Sequence, residues 1–226
     1  MKQGGSDAAK RAAGESAAEA VEDGMVVGLG TGSTAAHAIR AIGRQVGAGL
    51  DIVGVPTSFQ SRELAREAGV PLAELDGVSV DLAIDGADEV ADGDLVKGGG
   101  AAHAREKIVD ESADRFLVVA DPTKTAETLS HPVPVEVLSA ARTTVAEHVR
   151  ERGGEPTLRQ AERKDGPVVT DNGNPVLDCD FGDIEEPAAL GRELASLPGV
   201  VEHGLFVGLA DAVHVGHEDD VTVEEL

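Results

Sequence analysis

Along the first half of the chain, short apolar runs alternate with longer stretches in which apolar residues recur at helical spacing. Met25-Val-Val-Gly-Leu29, Asp51-Ile-Val-Gly-Val55, Asp81-Leu-Ala-Ile84 and Arg115-Phe-Leu-Val-Val-Ala120 suit buried strands and are too short for helices. Around them, Ala8–Asp23, Thr34–Val46, Ser58–Ala68 and a segment from about Ala101 to Ser112 read as helices. Gly24 supplies a stop for the first. Strand and helix in alternation with short connections predict an α/β fold. Its sheet is mostly parallel and Rossmann-like, with right-handed crossovers and helices on both faces.

The rhythm changes near Pro132-Val-Pro-Val-Glu-Val137. A helix over Ser139–Arg152 is followed by short strand-like runs: Pro156–Arg159, Val168–Thr170 and Val176–Cys179. Asn172-Gly173 between the last two is a hairpin signal, because both residues tolerate positive φ. A helix over Glu186–Leu197 closes the segment. Strand, helix, strand, strand, helix predicts a small inserted α+β lid of ferredoxin-like type over residues 130–199. Residues 1–129 and 200–226 then form the main catalytic domain. Leu205–Leu209 and Asp211–Val215 are expected to return to the main sheet, with the acidic tail Glu218–Leu226 as an edge strand or solvated end.

Composition narrows the class. With 226 residues, the chain buries roughly 70% of its unfolded surface and needs no disulfide or metal staple. The lone Cys179 lies in an alternating run and reads as a packing residue in a reducing compartment. No apolar stretch approaches the ~18 residues of a membrane span. Met1–Ser6 lacks the apolar core of a signal peptide, so a cytoplasmic protein is expected. The net charge of −23 comes without a basic stripe, which argues against nucleic-acid binding. Only six of the 19 basic residues are Lys. That balance suits a high-salt cytoplasm, since at ~1 M salt the Debye length of ~3 Å leaves exposed like charges barely repelling.

Against this scarcity of Lys, three segments stand out. Gly28-Leu-Gly-Thr-Gly-Ser-Thr34 lies at a strand-to-helix turn, where glycines admit an anion and the helix N-terminus favours it. Thr31, Gly32, Ser33 and Thr34 are the candidate donors; alone, the segment reads equally as a tight turn with Ser33 as N-cap. Asp85-Gly-Ala-Asp-Glu89 follows an apolar run, so its carboxylates fall at the carboxyl end of a strand, where open α/β sheets bind ligands. A solvated turn or a Mg²⁺ site fits that run as well. Lys97-Gly98-Gly99-Gly100 joins one cation to three costly glycines, with Glu106 nine residues beyond Lys97. Arg105-Glu106-Lys107 taken alone is ordinary surface charge. His214 and His217 lack a third ligand and read as non-metal.

Gly30-Thr-Gly-Ser-Thr-Ala35, Asp85-Gly-Ala-Asp-Glu89 and Lys97-Gly-Gly-Gly-Ala-Ala with Arg105-Glu-Lys-Ile108 together resemble ribose-5-phosphate isomerase of type A. Asp121 with Lys124, Pro134-Val-Glu-Val137, Val169-Thr-Asp-Asn-Gly-Asn174 and Leu197-Pro-Gly-Val-Val201 extend the likeness, in order, from about Ala8 to Val215. Pro122-Thr123 and a short extra loop over 162–166 depart from the pattern. The resemblance implies interconversion of ribose 5-phosphate and ribulose 5-phosphate without cofactor or metal. It makes Glu106 the base, Lys97 the stabiliser of the enediolate oxygen, and Asp85 and Asp88 the handlers of hydroxyl protons. Gly98, Gly99 and Gly100 would line the substrate, and Thr31, Gly32, Ser33, Thr34, Lys124 and Lys10 would hold its phosphate. The expected partner is a small sugar phosphate, with neither nucleic acid nor membrane, and the chain is expected to form a homodimer or homotetramer. A non-catalytic sugar-phosphate sensor, a sugar-phosphate deaminase and a CoA transferase are the competing readings.

Overall fold

A computed structural model describes residues 5–163 and 165–226. Met1 to Gly4, most of the segment read for a signal peptide, and Lys164 of the extra loop lie outside them. The elements open with α1 (Asp7–Ala18), β1 (Val26–Leu29), α2 (Ala35–Gly47), β2 (Val53–Pro56) and α3 (Phe59–Glu67). Next come β3 (Val80–Gly86), β4 (Glu89–Ala91), β5 (Asp94–Val96), α4 (His103–Ser112), β6 (Ala113–Ala120) and β7 (Val133–Val137). They continue with α5 (Arg142–Glu151), β8 (Glu155–Leu158), β9 (Val176–Asp180) and α6 (Pro187–Ala195). The chain ends with β10 (Val200–His203), β11 (Leu205–Phe206), β12 (Ala212–Gly216) and β13 (Val221–Glu225).

Two compact units emerge. The first, residues 1–87, 105–125 and 208–226, holds a six-stranded sheet in the order β2-β1-β3-β6-β12-β13. Every pairing in it is parallel except β12 with β13, so the acidic tail does form an edge strand. Strand alternation separates two faces. Val27, Leu29, Leu82, Ile84, Leu117 and Val119 join Ile39 and Ile42 of α2 and the alanines of α1 in one core. On the opposite face Val109 of α4 packs with Val55. A Cβ on Gly28 would stand 2.7 Å from Val109, so this glycine lets α4 lie close against the sheet.

The second unit, residues 88–104 and 126–207, carries an antiparallel sheet in the order β10-β7-β9-β8. With α5 and α6 it completes the ferredoxin-like order β7-α5-β8-β9-α6-β10. The expected boundaries at 129/130 and 199/200 thus differ from the observed division, because β10 pairs with β7 and residues 88–104 group with this unit.

Three local expectations are corrected, and one hairpin is new. Helix α1 stops at Ala18 rather than Asp23, where i→i−3 bonds from Glu19, Ala20 and Val21 tighten the chain. Leu205-Phe206 pairs with β5 in a three-stranded sheet, β11-β5-β4, and does not return to the main sheet. Strands β4 and β5 form an unforeseen hairpin across Asp92-Gly93, both at positive φ (47° and 80°). Val168–Thr170 makes one bridge, Val169 to Pro175, instead of a strand. The Asn172-Gly173 turn is tied to the buried Glu136 carboxylate, which accepts bonds from Thr170, Asn172 and Asn174.

Candidate active site

In the first unit, Gly30–Thr34, Asp85 and the turn Pro122–Lys124 stand at the carboxyl ends of three adjacent strands, β1, β3 and β6. The chain leaves β1 toward β2 on one side and later fills β3 on the other, so the β1–β3 gap is the sheet's switch point. Asp85 is fully buried there. Its Oδ1 accepts the Thr31 N–H at 2.8 Å and the Gly86 N–H at 2.6 Å. A Cβ on Gly30 would sit 2.2 Å from that oxygen, so only glycine lets the carboxylate rest on this turn. Gly32 takes φ +106°, the left-handed region that glycine enters without strain.

The Thr31 hydroxyl donates to Ser58 Oγ at 2.7 Å and lies 2.9 Å from Thr57 Oγ1. Ser58 in turn caps α3 in a reciprocal box with Ser61. This hydroxyl cluster was not foreseen; the Thr57-Ser58 pair entering a helix was its signal. Thr34, not Ser33, is the N-cap of α2, and its side chain makes no capping bond. Ser33 is exposed. After β6, buried Asp121 accepts the Thr123 N–H at 2.9 Å and shapes the turn that carries half-buried Lys124. Half-buried Lys10 lies on α1, and Gly5 just ahead of that helix is pressed against Asp121.

Helix α4 buries charged residues beside its apolar Ala104 and Val109. Glu106 is 4% exposed, and His103 and Asp110 are buried on the same face, while Ile108 is 56% exposed. Arg105 turns outward to Glu74 at 3.0 Å. Three polar residues at helical spacing, beside one misplaced isoleucine, were the available signal for a functional face.

In the second unit, Lys97 is 2% exposed with its Nζ 5.2 Å from the centre of the Phe206 ring, a cation–π contact. Its N–H donates to Gly204 O at 2.8 Å. Gly98 at φ +107° turns the chain, and Ala101, at a strained φ of +58°, donates back to Gly98 O at 2.9 Å. The Gly99 N–H donates to Asp88 Oδ2 at 2.6 Å. Gly99 and Gly100 are exposed. Arg159, which the sequence pattern did not single out, also reaches this loop.

The three carboxylates of the run Asp85–Glu89 have different hydrogen-bond partners. Asp85 holds the β1 turn, Asp88 meets Gly99, and Glu89 accepts the N–H groups of Ser130 and His131 at 2.5 and 2.7 Å. Cys179 is buried, and burial pushes its thiol up to about 12, as a packing residue requires. Among the described residues, no helix is long and apolar enough to cross a membrane.

Known proteins resemble this chain in sequence and in fold. Residues 53–220 match the family model for ribose 5-phosphate isomerase A (phosphoriboisomerase A). The chain is 78% identical over 226 residues to ribose-5-phosphate isomerase A of Haloarcula marismortui, covering 100% of this chain and 99% of that protein. Its counterpart from Natronomonas pharaonis is 68% identical over 99% of this chain and 100% of that one. Among solved structures, ribose 5-phosphate isomerase A from Methanocaldococcus jannaschii superimposes with a TM-score of 0.93 at 43% identity, covering 96% of this chain and 98% of that one. A D-ribose-5-phosphate isomerase in complex with phospho-erythronic acid gives 0.94 at 43% identity, covering 96% and 97%. With its glycine turn, its buried Lys97 and Glu106 and these full-length likenesses, the chain belongs to the ribose 5-phosphate isomerase A family.

Proposed function

We propose that this chain interconverts D-ribose 5-phosphate and D-ribulose 5-phosphate through an enediolate. The observation that carries the reading is the burial of Lys97 and Glu106 in a chain that leaves Ile108 in water. Burying charge is costly, and a reaction that creates and discharges an anion uses it. In the open aldose, the C1 carbonyl acidifies the proton on C2. Glu106 removes that proton, and the released electron pair forms the C1–C2 double bond. Returning the proton to C1, while the C2 hydroxyl loses its own and the C1 oxygen gains one, yields the ketose. C1 is reduced and C2 oxidised within one molecule, so the balance needs no outside oxidant or cofactor.

Lys97 meets the charge on the enediolate oxygen, which is absent from the ground state. Asp85 and Asp88 hold the hydroxyl protons, including during ring opening. The N–H groups of the Gly98–Gly100 loop line the sugar. Thr31, Gly32, Ser33, Thr34, Lys124 and Lys10 receive the phosphate. The solved relative's ligand supports this choice, since phospho-erythronic acid joins a phosphate to a carboxylate on a hydroxylated chain. Relatives matching the whole chain carry the isomerase name, which favours this reading over a sensor, deaminase or CoA transferase. The enzyme works in the cytoplasm as two or four copies, a number that light scattering checks.

Ribulose formation from ribose 5-phosphate, measured in EDTA, tests the activity, and Glu106→Gln tests the base. That variant should lose about 100-fold or more in kcat while KM changes far less. Near-normal turnover would reject Glu106 as the base.

A further inference from the structure

Arg159 follows β8 directly and faces Asp178 on the neighbouring strand β9. Its Nε donates to both carboxylate oxygens of Asp178, at 3.1 and 2.9 Å, and its Nη2 bonds the same carboxylate. One edge of the guanidinium is thereby locked, with the side chain 15% exposed. The remaining corner, Nη1, donates to the Gly98 carbonyl at 2.8 Å and the Gly99 carbonyl at 3.2 Å.

We infer that Arg159 is a positioning residue that sets the direction of the donors in the Lys97–Gly100 loop and of the Asp88 carboxylate. In a planar trans peptide, a carbonyl and the following N–H point in opposite directions. Drawing the Gly98 carbonyl to Arg159 turns the Gly99 N–H away from it, and that N–H donates to Asp88 Oδ2 at 2.6 Å. Drawing the Gly99 carbonyl the same way aims the Gly100 N–H away from Arg159 as well. Three successive glycines hold no such arrangement unaided, because each samples both signs of φ. The strained Ala101 at φ +58° adds a reason for a clamp. Lys at this position would supply charge without the planar fork that grips Asp178 and two carbonyls at once.

The inference rests on assigning the Lys97–Gly100 loop to the isomerase reaction. Its test measures kcat, KM and thermal midpoint for Arg159→Met, Arg159→Lys and Asp88→Asn, alone and combined. Each folded Arg159 variant should lose about tenfold or more in kcat with KM within about threefold. Arg159→Met added to Asp88→Asn should lose far less than the product of the single losses, because both act through one carboxylate. If Arg159→Met fails to fold, Arg159→Lys, which keeps the charge beside Asp178, carries the test. A kcat within about twofold of wild type, or fully multiplicative losses, overturns the inference. Glu106→Gln and Lys97→Ala run alongside. Ribulose formation absent from the unaltered chain sinks the isomerase reading, and turnover retained in those two variants removes Glu106 and Lys97 from the reaction; turnover lost there and kept in the Arg159 variants sinks only the positioning role.

Discussion

Lys97 and Lys124 carry the same charge in different settings. Lys97 is buried over the Phe206 ring, whereas Lys124 sits half-buried on a turn beside Thr123. A cation that answers charge created during the reaction acts on kcat, while one that answers the permanent phosphate acts on binding. Lys97→Ala should therefore lower kcat, and Lys124→Ala should chiefly raise KM; steady-state kinetics showing the reverse would exchange their roles. Glu89 separates from its acidic neighbours in the same way. One oxygen of its buried carboxylate, Oε2, accepts two N–H groups, and a glutamine carbonyl in its place would keep both bonds but lose the charge that strengthens them. Glu89→Gln should cost about 1–3 kcal/mol of stability with little change in kcat, read by denaturant titration beside the assay.

At the scale of elements, α1 and β12 meet through a titratable contact. His214 on β12 lies 2.9 Å, Nδ1 to Oγ, from Ser16 on α1. Burial, reinforced by the Arg115 cation, holds the His214 pKa below its ordinary value, with Glu225 and Glu19 opposing. The unfolded chain thus binds this proton more tightly than the native one. Stability is unaffected by the group above about pH 6.5 and is lost as pH falls from there through the depressed native value. The thermal midpoint should fall on acidification from about pH 7 to 5, and His214→Gln should flatten that fall. An equally steep fall in the variant would free His214 of the effect. Helix α4 shows how an element's pattern can be legible and its meaning hidden. The spacing of His103, Glu106 and Asp110 is helical, but nothing local says that the charged stripe faces inward. The Asp92-Gly93 hairpin was open to reading from its turn residues and was missed because the runs beside it are three residues each.

The whole molecule carries −23, and a sugar phosphate approaches against that field. Molar salt screens the surface repulsion while reaching buried Lys97 less. From about 0.1 to 3 M KCl the thermal midpoint should rise, and kcat/KM should persist or increase. A flat or falling midpoint would remove salt from the account of this surface and leave the isomerase reading as it stands.

The amino-acid sequence by itself determined what depends on neighbours a few positions away. Apolar runs became β1, β3 and β6, Ser58 capped α3, and the glycine-rich turn led into α2. Strand–helix alternation implied parallel pairing, and the order of elements after Pro132 implied the ferredoxin-like unit. Tertiary structure alone decided the rest. It divided Asp85, Asp88 and Glu89 among separate partners, sent Leu205-Phe206 to β5, and anchored the Thr170–Asn174 turn on Glu136. It also brought Arg159 to Gly98 across sixty-one residues of chain. Periodicity and turn chemistry are local quantities. Which carbonyl a guanidinium reaches, and which carboxylate is buried, depends on contacts that exist only once distant segments have packed.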